Sequence, residues 1–181
     1  MKPTVGNHFD IWGRAMRCRL IAVTSLAVVA ALSPALAQET KEVAKSGDWT
    51  LYSHVGQNQM CFLTSRARES EPKGQRRTGH FYITSWPKDG VKQEISIGLG
   101  TSLKANSQVA VAVGAARFKF FAQGDKAFIT NSADEGKLMS AMKKGNVLVV
   151  DATSEAGAAL KDKYSLIGIS QGLQSLGKGC N

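Results

Sequence analysis

Residues 81–86, FYITSW, and residues 94–99, EISIGL, alternate apolar and polar side chains on either side of Asp89 and Gly90. Alternation with a period of two places one face of an extended strand in a core and the other face in solvent. Asp followed by Gly is a common hairpin turn, because both residues tolerate the backbone angles that such turns need. This stretch therefore predicts an antiparallel hairpin.

The same alternation recurs in short runs along the rest of the chain, with glycines and Asp or Asn between them. Turn residues at this spacing are typical of antiparallel hairpins. The sequence therefore predicts a mainly β fold, either a sandwich or a barrel. The further runs are residues 49–52, 59–64, 108–113, 117–121, 127–130, 146–151 and 163–167.

Two stretches have helical spacing instead. Residues 132–135, SADE, predict a capping box that opens a short helix with apolar side chains at 138–142 and an end at Gly145. Apolar residues three or four positions apart in 169–176 predict a final turn or two of helix. We therefore expect one or two short helices beside the strands.

The amino-terminal residues 1–37 have the three parts of a secretory signal peptide. Arg14 and Arg17 lie in its basic part, residues 20–32 are apolar, and residues 34–37, PALA, provide the small residues before a cut. The apolar part is shorter than the roughly 20 residues of a membrane-spanning helix. We therefore expect cleavage after the leader and export from the cytoplasm.

Cleavage would leave residues 38–181, and a chain of that length is the usual size of one domain. We expect a short polar lead over residues 38–46 and a single domain over residues 47–181. Met16, which is followed directly by Arg17, Cys18 and Arg19 and then by the apolar part, is an alternative start of the chain. Loss of the leader removes four basic residues and one acidic one, so the formal charge falls from +9 to +6. The mature domain is therefore mildly basic.

Cys61 and Cys180 are the two cysteines that remain after cleavage. An even count in an oxidising compartment predicts a disulfide, and this one would tie the carboxyl-terminal end to an early strand. Because the two cysteines are far apart in sequence, a bridge between them would close a long loop. In the chain-entropy description such a bridge adds about 4 to 5 kcal/mol to the free energy of unfolding. Two free thiols are the alternative.

Residues 168–172, GISQG, match the G-x-S-x-G motif of hydrolases, with Ser170 as the serine. The acid and the histidine that must follow such a serine are missing from the rest of the sequence. His54 and His80 are the only histidines of the mature chain, too few for a metal site without the cysteines. We therefore expect no catalytic residue, no metal site and no cofactor.

Residues 65–77 are the most distinctive surface that the sequence predicts, a basic loop around Pro72 and Gly74. We expect this loop to contact anionic groups of the outer membrane or of a host surface. A solvated loop of mixed charge is the alternative. Nucleic acid is not an expected partner, because no aromatic side chains interleave with the charges. The cations of the loop are Arg66, Arg68, Lys73, Arg76 and Arg77.

Several landmarks, taken in their order and spacing over residues 47–180, resemble the invasion-associated locus B family of exported alphaproteobacterial proteins. The chain departs from that pattern near residues 99–103, where the family prefers an aromatic residue and Pro or Phe, and at Phe128, where the family prefers Trp. The matching landmarks are Trp49, 61–62 (CF), 70–74 (SEPKG) with Arg76 and Arg77, 124–127 (GDKA), 142–145 (MKKG), 153–154 (TS) with Gly157, 162–168 (DKYSLIG) and Cys180.

The resemblance implies an immunoglobulin-like antiparallel β-sandwich that lies in the periplasm or at the outer membrane. For some members from pathogens it implies a part in the invasion of host cells, notably erythrocytes. Together with the missing catalytic residues, it predicts an exported, non-enzymatic interaction protein of the cell envelope or the extracellular space. We expect no transmembrane span in the mature chain, and the sequence leaves the oligomeric state open.

Two alternatives remain at this point. One is a periplasmic enzyme, or an accessory of an enzyme, with a site assembled around His80 or Cys61 from residues distant in sequence. The other is an envelope-stress or chaperone-like binder that exposes an apolar groove or a sheet edge. A pocket that holds a histidine beside a carboxylate would favour the enzyme.

Overall fold

The computed structural model describes residues 39–55, 59–74 and 77–179. All described residues belong to one compact unit. The leader, Arg76 and Cys180 lie outside the described residues. Export and the domain limits therefore stay predictions.

Most of the described chain forms strands, which all pair antiparallel in one sheet of eleven. The strands are β1 (Glu39–Ser46), β2 (Trp49–Val55), β3 (Met60–Arg66), β4 (Glu69–Glu71), β5 (His80–Trp86), β6 (Val91–Gly98), β7 (Gln108–Val113), β8 (Ala116–Gln123), β9 (Lys126–Ile129), β10 (Val147–Thr153) and β11 (Ala159–Ser165). Their order across the sheet is β1-β2-β3-β5-β6-β9-β8-β7-β10-β11-β4.

The predicted hairpin is the pair β5 and β6. Phe81 and Ile83 of β5 are fully buried, whereas Tyr82 between them is partly exposed. Gly90 adopts a left-handed backbone with φ of 70° in the connection, a conformation that glycine adopts without steric cost. The alternation in the sequence therefore corresponds to an inner and an outer face of the sheet.

The sheet curls so that its two halves enclose one core. β3 pairs with β2 and β5, and the chain then continues directly into β4, which pairs with β11 at the far end of the sheet. Two residues form this corner, Ala67 and Arg68, and their N–H groups donate to the carbonyls of Gly79 and Lys163 at 2.9 and 2.8 Å. One stretch of chain thus belongs to both halves.

Aromatic rings from both halves meet in the centre of the core. The Phe81 ring lies 5.9 Å from the ring of Trp49 on β2 and 5.9 Å from that of Tyr164 on β11. The Trp49 indole N–H donates to the carbonyl of Ser165 at 3.0 Å. The predicted mainly β, antiparallel sandwich is therefore confirmed, and a single sheet supplies both of its layers.

The first helix is α1 (Ser132–Lys144), and it ends before Gly145 as predicted. Its N-cap is Asn131, whose side-chain oxygen accepts from the N–H of Ala133 at 3.0 Å. The predicted capping box, which starts one residue later, is therefore wrong. Asn131 has an extended backbone and a short polar side chain, the combination that satisfies a free N–H group at a helix start.

The second helix, α2 (Ile169–Gly179), confirms the predicted carboxyl-terminal helix and continues for 11 residues. Its apolar side, which includes Ile169, Leu173 and Leu176, is buried. It packs on β1, β2 and β3. α2 therefore covers the first strands of the sheet.

The glycines of the G-x-S-x-G match serve close packing rather than a nucleophile. A Cβ on Gly172 would lie 2.9 Å from the methyl carbons of Leu63, and a Cβ on Gly168 would overlap the backbone of Ser46. Ser170 between them is exposed on α2. The motif thus marks where the helix approaches the sheet.

The polar stretch expected to lead into the domain forms the edge strand β1. It pairs with β2 over its whole length, from Glu39 opposite Val55 to Ser46 opposite Trp49. Its side chains are almost all exposed, so the sequence has no apolar alternation there. Charged edge strands are common because they discourage pairing with other chains.

Candidate anion-binding cleft

A cleft of about 500 Å³ lies over the outer face of β2, β3 and β5, beside the turn between β1 and β2. Thr64 and Arg66 point outward there, because they alternate with the buried residues of β3. His80 is the cross-strand partner of Arg66 on β5. The lining comprises Lys45, Gly47, Asp48, Thr50, Tyr52, Thr64, Ser65, Arg66, Ala67, Arg68 and His80. We refer to this feature as the basic cleft.

Three cations and one carboxylate line the basic cleft. The Arg68 guanidinium forms an ion pair with Asp48, which compensates both charges. Lys45 and Arg66 are exposed, and neither forms an ion pair with another residue of the described chain. The cleft therefore carries uncompensated positive charge.

His80 adds a titratable group to the cleft. Partial burial lowers the pKa of its imidazole below the ordinary value of 6.5, and the nearby charge of Arg66 lowers it further. The ring stacks against Tyr82 at a centroid distance of 5.9 Å. His80 is therefore mostly neutral at pH 7, and an anion between it and Arg66 would favour its charged form.

The structure separates the cations of the predicted basic loop. Arg66 and Arg68 lie in the basic cleft. Lys73 is exposed next to the β4 strand, and Arg76 lies outside the described residues. Arg77 is only 8% exposed, so its assignment to a surface loop is wrong. The physical reason is a buried acidic partner.

That partner is Asp162 on β11, which is completely buried. The Arg77 guanidinium lies 2.7 Å from Asp162 Oδ1 and also donates to Oδ2 at 2.9 Å. It donates further to the carbonyls of Leu99 and Glu71 at 3.2 and 2.6 Å. A guanidinium with this many acceptors is held inside the fold. Arg77 therefore anchors the loop to the core, and its charge is not available on the surface.

Sequence reasoning missed Lys45, Tyr52 and Thr64 as cleft residues, and it treated His80 only as a potential metal or catalytic residue. The alternation in β3 and β5 predicts which side chains face outward. It does not predict that Arg66 and His80 pair across the sheet, because register depends on the intervening connection. Each strand alone therefore indicates its outward-facing residues, but the sequence does not indicate which of them are neighbours in the sheet.

Cys61 is completely buried on β3. Ser85, its cross-strand partner, lines a second cleft together with Leu176 and Gly177 of α2. The carboxyl-terminal end of α2 therefore lies near the strand position of Cys61. Cys180 lies outside the described residues, so its pairing with Cys61 stays a prediction.

In the part of the chain that the structure describes, no group of three or more His, Cys, Asp or Glu side chains is arranged to hold a metal ion. No described helix is long and apolar enough to cross a membrane.

Fold and cleft together define the class: a small antiparallel β-sandwich domain with a basic cleft on its outer face. Residues 49–177 match the family model described as Invasion associated locus B (IalB) protein, and the chain belongs to that family.

A solved structure has the same fold. The crystal structure of invasion associated protein B from Bartonella henselae superposes with a TM-score of 0.52 at 19% sequence identity. The match covers 74% of this chain and 94% of that one. Among curated proteins, none matches this chain significantly.

Proposed function

We propose that this protein is an exported, non-enzymatic interaction module of the cell envelope that binds anionic groups at the outer membrane or on a host surface through its basic cleft. The observation that carries the proposal is the pair of uncompensated cations, Lys45 and Arg66, beside His80 in one cleft. Family membership and the signal peptide expected over residues 1–37 support export to the periplasm, the outer membrane or beyond.

A binding role fits the cleft better than the enzymatic alternative. His80 and the carboxylate of Asp48 line the same cleft, which is the arrangement that an acid–base site would need. However, Asp48 is paired with Arg68, and the charge that acts on His80 is the cation Arg66. A carboxylate held by arginine and a histidine next to a cation favour capture of an anion over proton transfer.

The test is co-sedimentation of the mature protein with outer-membrane vesicles rich in lipopolysaccharide, with phosphatidylcholine vesicles as the neutral reference. The variant combines Lys45→Ser with Arg66→Ser. A cation near an anionic surface contributes about 1 kcal/mol, so we expect the double variant to lose at least about tenfold in affinity. Binding should also weaken as salt is raised, because the Debye length falls from about 10 Å at 0.1 M to about 3 Å at 1 M.

The matched control combines Lys119→Ser with Lys178→Ser. Both lysines are exposed and lie outside the lining of the basic cleft, on β8 and α2, and the control removes the same formal charge. We expect it to retain most of the binding. Equal losses in the two double variants would show diffuse attraction of a basic domain and would overturn the assignment of the cleft.

A further inference from the structure

Three aromatic side chains form a continuous row on the outer face of the sheet. Tyr52 on β2 stacks on Phe62 of β3 with ring centroids 5.3 Å apart and planes at 21°. Phe62 contacts Tyr82 of β5 at 6.1 Å. All three side chains are partly exposed. We call Tyr52, Phe62 and Tyr82 the aromatic row.

The aromatic row is separate from the core and is not explained by it. The sheet packs its inner face with other rings, including Phe81 between Trp49 and Tyr164. Contiguous apolar side chains that face outward on neighbouring strands leave apolar area in contact with water. Such patches in soluble domains commonly mark binding surfaces.

The row adjoins the basic cleft at two points. Tyr52 and His80 both line the cleft, and the His80 ring stacks on Tyr82 at 5.9 Å. The uncompensated cations Lys45 and Arg66 line the same cleft. A ligand on this face therefore meets partly exposed aromatic side chains and positive charge side by side.

This combination selects for a particular ligand chemistry. A sugar ring presents a face of C–H groups that packs on an aromatic ring, and a uronic acid adds a carboxylate that pairs with arginine or lysine. A lipid phosphate satisfies the cations but leaves the rings uncovered. An acidic peptide supplies carboxylates without regularly spaced rigid faces.

We infer that the aromatic row and the basic cleft together bind an acidic polysaccharide, with sugar rings on Tyr52, Phe62 and Tyr82 and carboxylates at Lys45 and Arg66. The inference rests on the proposed function and names the class of anionic partner. The row spans two strand spacings, ~10 Å, which gives room for about two linked sugar rings. Each ring face would replace water on one or more aromatic side chains.

The test compares three probes by isothermal titration calorimetry on the mature protein. Oligogalacturonate carries both sugar rings and carboxylates, poly-L-glutamate of matched charge carries carboxylates alone, and a cello-oligosaccharide carries rings alone. We expect oligogalacturonate to bind about tenfold more tightly than poly-L-glutamate, because ring packing adds to charge pairing. The neutral sugar should bind more weakly than oligogalacturonate.

The key variant is Phe62→Leu, which keeps an apolar side chain and removes the ring. We expect this variant to bind oligogalacturonate more weakly and to show a smaller preference for it over poly-L-glutamate, because one of the three rings is missing. The control is Phe121→Leu, which changes an exposed aromatic residue on β8, three strands away from β5. This control should keep the preference for oligogalacturonate over poly-L-glutamate. Thermal unfolding of each variant shows whether it is folded, and saturation-transfer NMR from the tyrosine rings of the unchanged protein to the sugar protons tests the contact without any substitution.

The outcomes separate this inference from the proposed function. Equal binding of oligogalacturonate and poly-L-glutamate, both lost in the Lys45 and Arg66 double variant, would overturn the polysaccharide inference and leave the basic cleft in place. Binding of neither acidic probe, with retained binding to lipopolysaccharide vesicles, would also overturn it. Self-association through this face, lost in Phe62→Leu and accompanied by no sugar binding, would assign the row to a second copy of the chain and overturn it as well.

Discussion

Arg77 and Asp162 form an ion pair inside the sandwich, with their side chains 3% and 0% exposed. The pair joins the segment that leads into β5 to the middle of β11. Because the same guanidinium also binds two carbonyl groups, it connects three parts of the chain that are distant in sequence. The residue that the sequence places on a basic surface is therefore part of the internal framework of the sandwich.

Removal of one member of this pair should strongly destabilise the fold. Arg77→Met leaves the Asp162 carboxylate buried without its partner. Such a loss typically lowers the free energy of unfolding by about 3–5 kcal/mol. Replacement of both residues, Arg77→Met with Asp162→Leu, should recover part of that loss, because no charge remains buried. Urea unfolding followed by circular dichroism measures the free energy of unfolding of each variant.

The control for this prediction is an exposed ion pair between β10 and β11. Lys161 lies 3.1 Å from Asp151 with both side chains about half exposed, at 43% and 51%. Such pairs contribute about 0–1 kcal/mol, so Lys161→Met should have little effect. A loss of stability for Arg77→Met no greater than for Lys161→Met would contradict the role of the buried pair.

Two glycines in α2 should respond in opposite directions to alanine. A Cβ on Gly172 would press on Leu63, whereas a Cβ on Gly177 would meet open space. Gly172→Ala should therefore lower the free energy of unfolding by about 1–3 kcal/mol through overpacking. Gly177→Ala should raise it by up to about 1 kcal/mol, because alanine has the higher helix propensity.

Thermal unfolding of the two variants measures this difference. Each variant serves as the control for the other, since both make the same chemical change in the same helix. Equal effects of the two substitutions would mean that α2 is not held against β3 at Gly172.

The predicted disulfide can be tested by intact-mass spectrometry of protein recovered from the periplasm, with and without reduction before alkylation. We expect a chain that begins at Gln38 and takes up no label until it is reduced, and then two labels, on Cys61 and Cys180. The approach of α2 to the strand position of Cys61 supports this result. Labelling of Cys61 without reduction would exclude the bridge.

The strands were predictable where one face is buried, because burial imposes alternation on the sequence. Phe81 and Ile83 show this in β5. β1 was not predictable in the same way, since an exposed edge strand needs no apolar face and owes its structure to pairing with β2. Its polar sequence is equally typical of a linker.

The candidate site was predictable only in part. Arg66 and Arg68 belong to a basic stretch that the sequence displays. The burial of Arg77 depends on Asp162, which is distant in sequence, and no local sequence pattern predicts that contact. The role of His80 depends on the register between β3 and β5, which tertiary structure sets.

The pKa of His80 is the property that reports most directly on an anion in the basic cleft. The other charged groups lining the cleft are Lys45, Asp48, Arg66 and Arg68. In the free protein, burial and Arg66 keep the pKa below 6.5, so the ring loses its proton before pH 7 is reached. A bound anion stabilises the imidazolium and offsets the charge of Arg66, and both effects raise the pKa. By linkage, the affinity for the anion should rise as the pH falls from 7 toward the pKa of the free protein.

The decisive measurement is an NMR titration of the imidazole of His80 in the mature protein, with and without saturating poly-L-glutamate, with the resonances of His54 as the reference within the same molecule. We expect the pKa of His80 to rise when the polymer is bound, and the His54 resonances to show no response to the polymer at constant pH. An unchanged pKa of His80 in protein that has demonstrably bound the polymer would place the anion elsewhere and contradict the assignment of the basic cleft.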